Sequence, residues 1–189
     1  MIDIIYQLGD DALGNFFQIF IPSFTLVSTD PNSNLNGISI DTGNIILRTT
    51  TIQIPESGAT TYNVNYKTQE FAKIAGKVNS TKTFSMALRI DRYYKEYQKI
   101  LQWKNAIANP FTGVIGADAF GSAGSSNRVD ITVQPIDSDG EVIETSLYWI
   151  LHNAFIQTVP EISFDYGAGE PISTTLAFQC STLEEVFPT

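Results

Sequence analysis

The stretch FSMALRIDRYYKEYQKILQWKNAIANP, residues 84–110, joins an alternating strand directly to the one convincing long helix of the chain. Apolar side chains at every second position predict a half-buried strand over 83–91. These side chains are Phe84, Met86, Leu88 and Ile90. The period then changes, and apolar residues within an arc of about 120° predict a helix over about 92–109. This stripe contains Tyr93, Tyr97, Ile100, Leu101, Ile107 and Ala108. Asp91 is placed to cap the helix and Pro110 to end it.

The rest of the chain has the patterns of strands and turns. Further strands are predicted at 16–21, 38–40, 45–54, 129–136, 142–151 and 172–181. A short helical turn is predicted at 8–14, and the sequence DSDG at 137–140 predicts a tight hairpin turn. No second hydrophobic core, linker or internal repeat is visible, so 1–189 is predicted to be a single domain.

Two segments are predicted to lie outside the regular structure. The polar segment at about 55–76 is predicted to be a long extended loop or a hairpin. The Gly/Ala/Ser-rich segment GVIGADAFGSAGSS, at about 113–126, is predicted to be a mobile loop.

Composition limits the classes of partner. The net charge of −9 argues against a nucleic-acid reader, because neutralising phosphates requires clustered Lys and Arg. An acidic wall could still pass DNA without binding it. The single cysteine excludes an intramolecular disulfide and a Cys-rich metal site. No apolar run approaches the roughly 20 residues that a membrane helix needs, and the N-terminus does not read as a secretory signal. We therefore expect a soluble protein made in the cytoplasm.

The chain has few residues of the types that enzymes use most often for catalysis, with one histidine and one cysteine. His152 is the only histidine, so any Ser-His-Asp or Cys-His arrangement would have to use it. Its position at the end of a predicted strand favours a packed or surface histidine. Zinc sites need several His or Cys ligands, and the glycines do not match a phosphate-binding loop. The sequence therefore predicts no enzyme, no cofactor and no metal site.

Three pairs of acidic residues are candidates for a calcium site or a catalytic carboxylate pair. Asp137 and Asp139 could belong to a weak calcium loop, but a hairpin turn is favoured. Glu184 and Glu185 are predicted to lie in a solvated tail. Asp165 and Glu170 bracket a loop and leave a carboxylate pair of the glycosidase type as a remote alternative.

Three segments carry a resemblance to a known family: ILRTTTIQIP at 46–55, the stretch at 84–110, and NAFIQTVPEISFDYGAGEPISTTLAFQC at 153–180. In this order they resemble the tail-tube protein of contractile-tailed bacteriophages, whose fold is shared with type VI secretion and R-type pyocin tubes. The resemblance covers about 45–181. It implies a mainly β fold, a sandwich or barrel with one flanking helix, and six copies per ring in a stack of rings.

The resemblance also implies partners and surfaces. The partners are further copies of the chain, the tail sheath protein, and the baseplate and tail-terminator proteins. The tape-measure protein and DNA would occupy the lumen without sequence-specific binding, in a virion tail assembled in the host cytoplasm. The candidate lumen-facing residues are Asp130, Thr132 and Gln134. The candidate inter-ring loop contains Thr60, Tyr62, Asn63, Asn65, Tyr66 and Lys67, and an ordinary flexible loop is the alternative for that segment.

Two other functions remain open at this stage. A tube-initiating baseplate protein or adaptor would share the fold but form a single ring. A free-standing β-sandwich that binds carbohydrate or a cell-surface ligand would be a monomer.

Overall fold

The computed structural model describes residues 17–28, 33–58, 61–67, 69–74, 81–116, 126–162, 164 and 171–188. The predicted turn at 8–14 and the pair Asp165 and Glu170 lie outside these residues. Eleven strands and two helices are described. They are β1 (Phe17–Phe20), β2 (Phe24–Thr25), β3 (Ser39–Ile40), α1 (Gly43–Arg48), β4 (Thr49–Ile52), β5 (Thr61–Tyr66), β6 (Gln69–Ile74), β7 (Lys82–Arg89), α2 (Lys95–Ile107), β8 (Val129–Pro135), β9 (Tyr148–Thr158), β10 (Ser173–Cys180) and β11 (Thr182–Val186).

One antiparallel sheet of seven strands organises the described residues. Its order is β1-β8-β9-β10-β7-β4, and β11 pairs with β9 beside β10. The long strand β9 therefore belongs to two halves of the sheet. Its first part pairs with β8 and β11, and its last part pairs with β10. We call β1, β8, the first part of β9 and β11 the first half-sheet.

The two half-sheets meet at a bend in β9. Asn153 has a positive φ of 51°, and the register of β8 against β9 shifts next to it. Opposite the bend, Ser181 separates β10 from β11, and its backbone N–H and its hydroxyl both donate to the His152 carbonyl. Bulges of this kind bend a strand and redirect its side chains.

The core lies between the folded sheet and α2. Trp103 of α2 is 1% exposed, and its ring meets Phe24 and Phe178 edge-on at centroid distances of 4.9 and 5.7 Å. Phe178 in turn stacks on Phe84 of β7 at 5.0 Å. Each buried side chain of this size stabilises the fold by about 1.5–3 kcal/mol. The alternation predicted for 83–91 and 172–181 is confirmed, because the same apolar face of β7 and β10 is buried.

The predicted long helix is confirmed as α2, but it begins at Lys95, later than predicted, and its N-cap is Tyr94, so the cap predicted at Asp91 is wrong. Tyr94 precedes the helix with a φ of 56°, and Asp91 accepts hydrogen bonds from the backbone N–H of Tyr93 (3.1 Å) and Glu96 (3.2 Å). Partial burial alone would raise the pKa of Asp91, but these bonds, one from Lys95 and the charge of Arg48 lower it. The buried face is rotated from the predicted stripe. It contains Glu96, Ile100, Trp103, Ala106 and Ile107, whereas Ala108 is exposed.

The strand predicted over 45–54 is wrong in its first part, where the chain forms α1. Thr42 donates from its hydroxyl to the Ile21 carbonyl at 2.6 Å, and Asp41 accepts from the Gly43 N–H, so the chain turns at this point. Ile45 then enters the core at 1% exposure. Packing outweighs the weak helix preference of β-branched residues. The described residues thus contain a second, short helix in addition to the single helix that the sequence predicts.

The predicted strand over 142–151 is wrong in its bounds. Val142 forms only an isolated bridge with Ile136, and β9 begins at Tyr148 and continues to Thr158. The predicted hairpin turn itself is present, because the Asp137 carboxylate accepts from the N–H of Asp139 and Glu141, both at 2.9 Å. Its side chain is thus used within the turn.

Of the two alternatives predicted for 55–76, the described residues form the hairpin, and the segment at 113–126 is described only in part. The segment at 55–76 contains a hairpin in which β5 and β6 pair over six residues and bond to no other strand. The first part of the segment at 113–126 packs back on α2, because the Gly116 N–H donates to the Ile107 carbonyl at 2.8 Å. Residues 117–125 lie outside the described part of the chain.

Candidate assembly surface

The outward side of the first half-sheet includes all three candidate lumen residues, among both polar and apolar side chains. In β8, Val129, Ile131 and Val133 are buried, while Asp130, Thr132 and Gln134 alternate with them and point away from the core. We call this side of β1, β8, β9 and β11 the outer face. Because directly opposite residues of paired strands share one side, the register defines a row across all four strands. This row is Phe20, Thr132, Ile150 and Glu184.

A histidine between two carboxylates crosses three strands of the outer face. His152 of β9 places Nδ1 3.1 Å from Oδ2 of Asp130 in β8 and Nε2 2.7 Å from Oε2 of Glu184 in β11. The second Asp130 oxygen accepts the Asn153 N–H at 2.8 Å, so this carboxylate is also fixed by the bend in β9. We call these three side chains the Asp130–His152–Glu184 bridge.

The bridge favours the charged form of the imidazole. A neutral imidazole has one donor and one acceptor nitrogen, so only the imidazolium donates to both carboxylates. Accordingly, the hydrogen bond to Glu184 raises the pKa of His152. Desolvation opposes this shift, and the hydrogen bond and charge of Asp130 and the charge of Glu184 add to it.

Two predictions about these residues are wrong. His152 lies within β9 and not at a strand end, and Glu184 belongs to β11 rather than to a solvated tail. The arrangement does not form a nucleophile–histidine pair, because both ring nitrogens contact carboxylates and Ser181 bonds to the His152 backbone. In the described residues, no group of His, Cys, Asp and Glu is arranged to hold a metal ion.

The first half-sheet ends in two edges that no described strand covers. β1 pairs only with β8, and β11 pairs only with β9. Large apolar side chains are exposed near both edges: Phe20 and Leu47 beside β1 are 58% and 83% exposed, and Phe187 after β11 is 69% exposed. An open cleft of about 410 Å³ separates β1 from α1 and β4. Uncovered strands of this kind are places where another chain can pair.

Charge is divided unequally along the chain. All 11 Lys and Arg residues lie between Arg48 and Arg128, so the four strands of the first half-sheet contain none. Residues 129–189 carry ten carboxylates and no Lys or Arg. Of these carboxylates, Asp130 and Glu184 lie on the outer face, whose strands contain no Lys or Arg, and His152 is the only residue there that can carry a positive charge.

Comparisons with known proteins test the fold. No protein-family model matches the sequence, and neither does any curated protein. Solved structures do match over nearly the whole chain. A chain of the anti-feeding prophage cap, described as the AFP tube terminating cap, superposes with a TM-score of 0.59 and 12% identity over 95% of this chain and 93% of that one.

Two further matches come from particles of the same kind. A chain of the PVC sheath-tube complex, an extracellular contractile injection system in its extended state, gives a TM-score of 0.59 at 10% identity, covering 97% of both chains. A chain of the anti-feeding prophage baseplate gives 0.57 at 9% identity, covering 95% of this chain and 97% of that one. The chain has the tail-tube-like fold. This confirms the predicted fold class and the resemblance on which it was based.

The hairpin of β5 and β6 contains the candidate inter-ring residues other than Thr60. Lys67, at its tip, has a φ of 57°, and the Asn63 amide bonds to the Glu70 carboxylate across the hairpin. Val64 lies opposite Phe71, which is 48% exposed. Thr60 lies outside the described residues, and Tyr62, Asn65 and Tyr66 are described only as backbone within β5. A two-stranded hairpin is at best marginally stable alone in water, so we expect the hairpin of β5 and β6 to be stabilised by packing against a partner.

Two residues of the outer face were missed as site residues in the sequence. His152 and Glu184 meet Asp130 only because of the bend and the strand register, which no local pattern reveals. The absence of Lys and Arg after Arg128 is a signal that the sequence does contain.

Proposed function

We propose that the chain is a structural subunit of a contractile tail tube, forming stacked hexameric rings whose lumen conducts DNA during ejection. The observation that carries this proposal is the first half-sheet, which has two edges that no described strand covers and an outer face without Lys or Arg. The fold shared with contractile injection-system chains supports it. In this function the residues build and line a channel and catalyse no reaction.

The strand directions fit closure of a ring. β1, β8, β9 and β11 alternate in direction, because each pairs antiparallel to its neighbour. In a ring of identically oriented copies, β11 of one copy therefore meets β1 of the next in the antiparallel sense. Exposed Phe187 and exposed Phe20 and Leu47 lie near the two edges that would meet. Burying each of these apolar side chains would stabilise the junction by about 1.5–3 kcal/mol.

The number of strands fits a channel. Six copies of a four-stranded half-sheet give a closed barrel of 24 strands. Barrels of about 16–18 strands already leave an aqueous channel, so this one would have a water-filled bore. Closure also removes every exposed edge of the first half-sheet.

The charge of the outer face fits passage of DNA. If Asp130, Thr132 and Gln134 line the bore, its wall carries carboxylates and presents no Lys or Arg to phosphates. Non-specific DNA binding depends on such cations, so DNA would pass without sticking. The same wall would accommodate a tape-measure protein before ejection.

The hairpin fits a contact between rings. Among the described strands, β5 and β6 pair only with each other, so their exposed side chains are available to a subunit of the adjacent ring. The side of the tube remote from the bore would contact the sheath protein. The ends of the tube would meet the baseplate and tail-terminator proteins, in a virion tail assembled in the host cytoplasm.

A second candidate is a cap, terminator or baseplate adaptor that forms one ring and no tube. It is favoured by matches to chains from a tube-terminating cap and from a baseplate, with TM-scores of 0.59 and 0.57. Negative-stain electron microscopy of the purified protein over a range of concentrations separates the candidates. Long tubes with a central channel support a tube subunit, single rings at every concentration support the adaptor, and monomers at every concentration contradict both.

A further inference from the structure

The Asp130–His152–Glu184 bridge connects the uncovered edge strand to the rest of the first half-sheet. β11 has five residues, and β9 is the one described strand with which it pairs. The contact of 2.7 Å between Glu184 and His152 is a side-chain tie from β11 to β9, and His152 continues that tie to Asp130 of β8. The edge strand is thus held by a charged link in addition to its backbone ladder.

The link depends on one proton. With His152 protonated, the three side chains carry a net charge of −1, and both ring nitrogens donate. After the proton is lost, the net charge is −2, and one nitrogen lone pair faces a carboxylate oxygen. Asp130 from β8 and Glu184 from β11 are the charged groups that act on the ring. Loss of the proton therefore replaces the attraction between one imidazole nitrogen and its carboxylate by a repulsion, which weakens the bridge between β11 and the rest of the first half-sheet.

We propose that the Asp130–His152–Glu184 bridge is a proton-dependent clamp that holds β11 in position to pair with β1 of the next copy. This inference rests on the proposed function. The clamp is closed while His152 is charged and opens at alkaline pH, so ring formation weakens as the pH rises. In a ring of six copies, opening adds six negative charges to the outer face.

The sign of the pH dependence follows from the raised pKa of His152. A histidine whose pKa is raised by its partners contributes stability that is complete below its unfolded value of 6.5. That stability is lost as the pH rises through the higher folded value. The bridge is therefore expected to open above pH 6.5. For assembly, each unit by which the pKa of His152 is higher in the ring than in the free chain changes the association constant about tenfold.

The first arm of the test measures the proton directly. Because His152 is the only histidine, protein labelled with ¹³C-histidine gives one imidazole signal, measured in solution for small species or by magic-angle spinning for tubes. The expected midpoint lies above 6.5 in the wild type and falls in Glu184→Gln and in Asp130→Asn. A wild-type midpoint at or below 6.5, or one that neither substitution lowers, overturns the clamp.

The second arm measures assembly by sedimentation between pH 6 and pH 9. The critical concentration of the wild type is expected to rise about tenfold for a one-unit difference in pKa between assembled and free chains. His152→Lys keeps a cation across this range, and His152→Gln has none, so both variants should lose the pH dependence. They also control for other groups that titrate in this range.

The outcomes separate the two proposals. Rings whose critical concentration is equal at pH 6 and pH 9, or equally pH-dependent in His152→Gln, overturn the clamp and leave the tube subunit intact. Failure to form rings at any pH contradicts the proposed function, and it overturns the role of the clamp in assembly even if the histidine signal shows the bridge itself.

Discussion

Replacing Asn127 by alanine should destabilise the protein by about 3 kcal/mol, because this amide joins three segments inside the core. Asn127 is completely buried. Its side-chain oxygen accepts the Val27 N–H at 3.0 Å, and its amide donates to the carbonyls of Val27 (2.7 Å), Gly116 (2.7 Å) and Ala106 (3.3 Å). These bonds position the chain immediately before β8, the strand that carries Asp130.

The magnitude follows from the groups that lose their partner. One N–H and two carbonyls with contacts of 3.0 Å or less lose this partner; the Gly116 contact is buried, and the two Val27 contacts are half-buried. A buried unpaired group costs about 1–3 kcal/mol. Partial entry of water limits the sum, so we expect about 3 kcal/mol. In a chain of this length, 1 kcal/mol shifts Tm by roughly 2–4 °C, which gives a decrease of roughly 6–12 °C.

The assay is urea and thermal unfolding at a concentration below that of ring formation. Asn105→Ala is the matched control, since Asn105 lies half-buried on α2 and alanine favours a helix, and its free energy of unfolding should change by less than about 0.5 kcal/mol. A loss below about 1 kcal/mol in Asn127→Ala, or one equal to the control, would refute the reasoning.

Three further changes test the assembly surfaces. Leu47→Asp and Phe187→Asp should each raise the critical concentration of rings by at least tenfold, since burial of each side chain stabilises the junction by about 1.5–3 kcal/mol. The control Phe111→Asp, at a site 93% exposed, should leave rings intact. Sedimentation measures the critical concentration, and equal effects at all three sites would contradict the edge contact. Deleting residues 60–70 should abolish stacking but preserve the fold, so that micrographs show single rings in place of tubes; tubes after the deletion would show that the hairpin has no inter-ring role. The double substitution Thr132→Lys and Gln134→Lys should make tubes retain DNA at low salt and release it as the salt concentration rises, which co-sedimentation measures. Gln98→Lys on α2 is the control. If the double variant retains no DNA, the side chains at 132 and 134 lie outside the bore.

The parts of the fold that the sequence predicted are those with a strong local period. β7, β8 and β10 alternate apolar and polar residues because one side of each strand is buried, and α2 has a helical apolar period, although its buried face is rotated from the predicted stripe. Such patterns arise within one element and need no knowledge of its neighbours.

The errors lie where neighbouring elements decide the structure. Residues 45–48 have the composition of a strand, but α1 forms because Ile45 enters the core and because Asn44 donates to the buried Glu96 of α2 at 3.3 Å. The sequence of β11 predicts a solvated tail because it contains Glu184 and Glu185. Only its pairing with β9 gives these residues a place in the sheet.

The candidate site divides in the same way. Alternation in β8 was sufficient to put Asp130, Thr132 and Gln134 on one side of a strand. It could not show that His152, 22 residues further on, and Glu184, 32 residues beyond that, meet at a bend in β9. Such a contact depends on register shifts between strands, which the sequence of one strand does not record.

Disulfide cross-linking between β1 and β11 tests the central claim most directly. The pairs Gln18→Cys with Thr182→Cys and Gln18→Cys with Val186→Cys place thiols on the outer face of the two edge strands and leave the bridge intact. Cys180, the native thiol, is fully buried. Under oxidation, at least one pair should give a ladder of products that ends at six copies, while each single variant and the pair Gln18→Cys with Gln98→Cys should not. A chain that forms no ladder with either pair, at concentrations where particles are visible, would contradict closure of the ring through these edges.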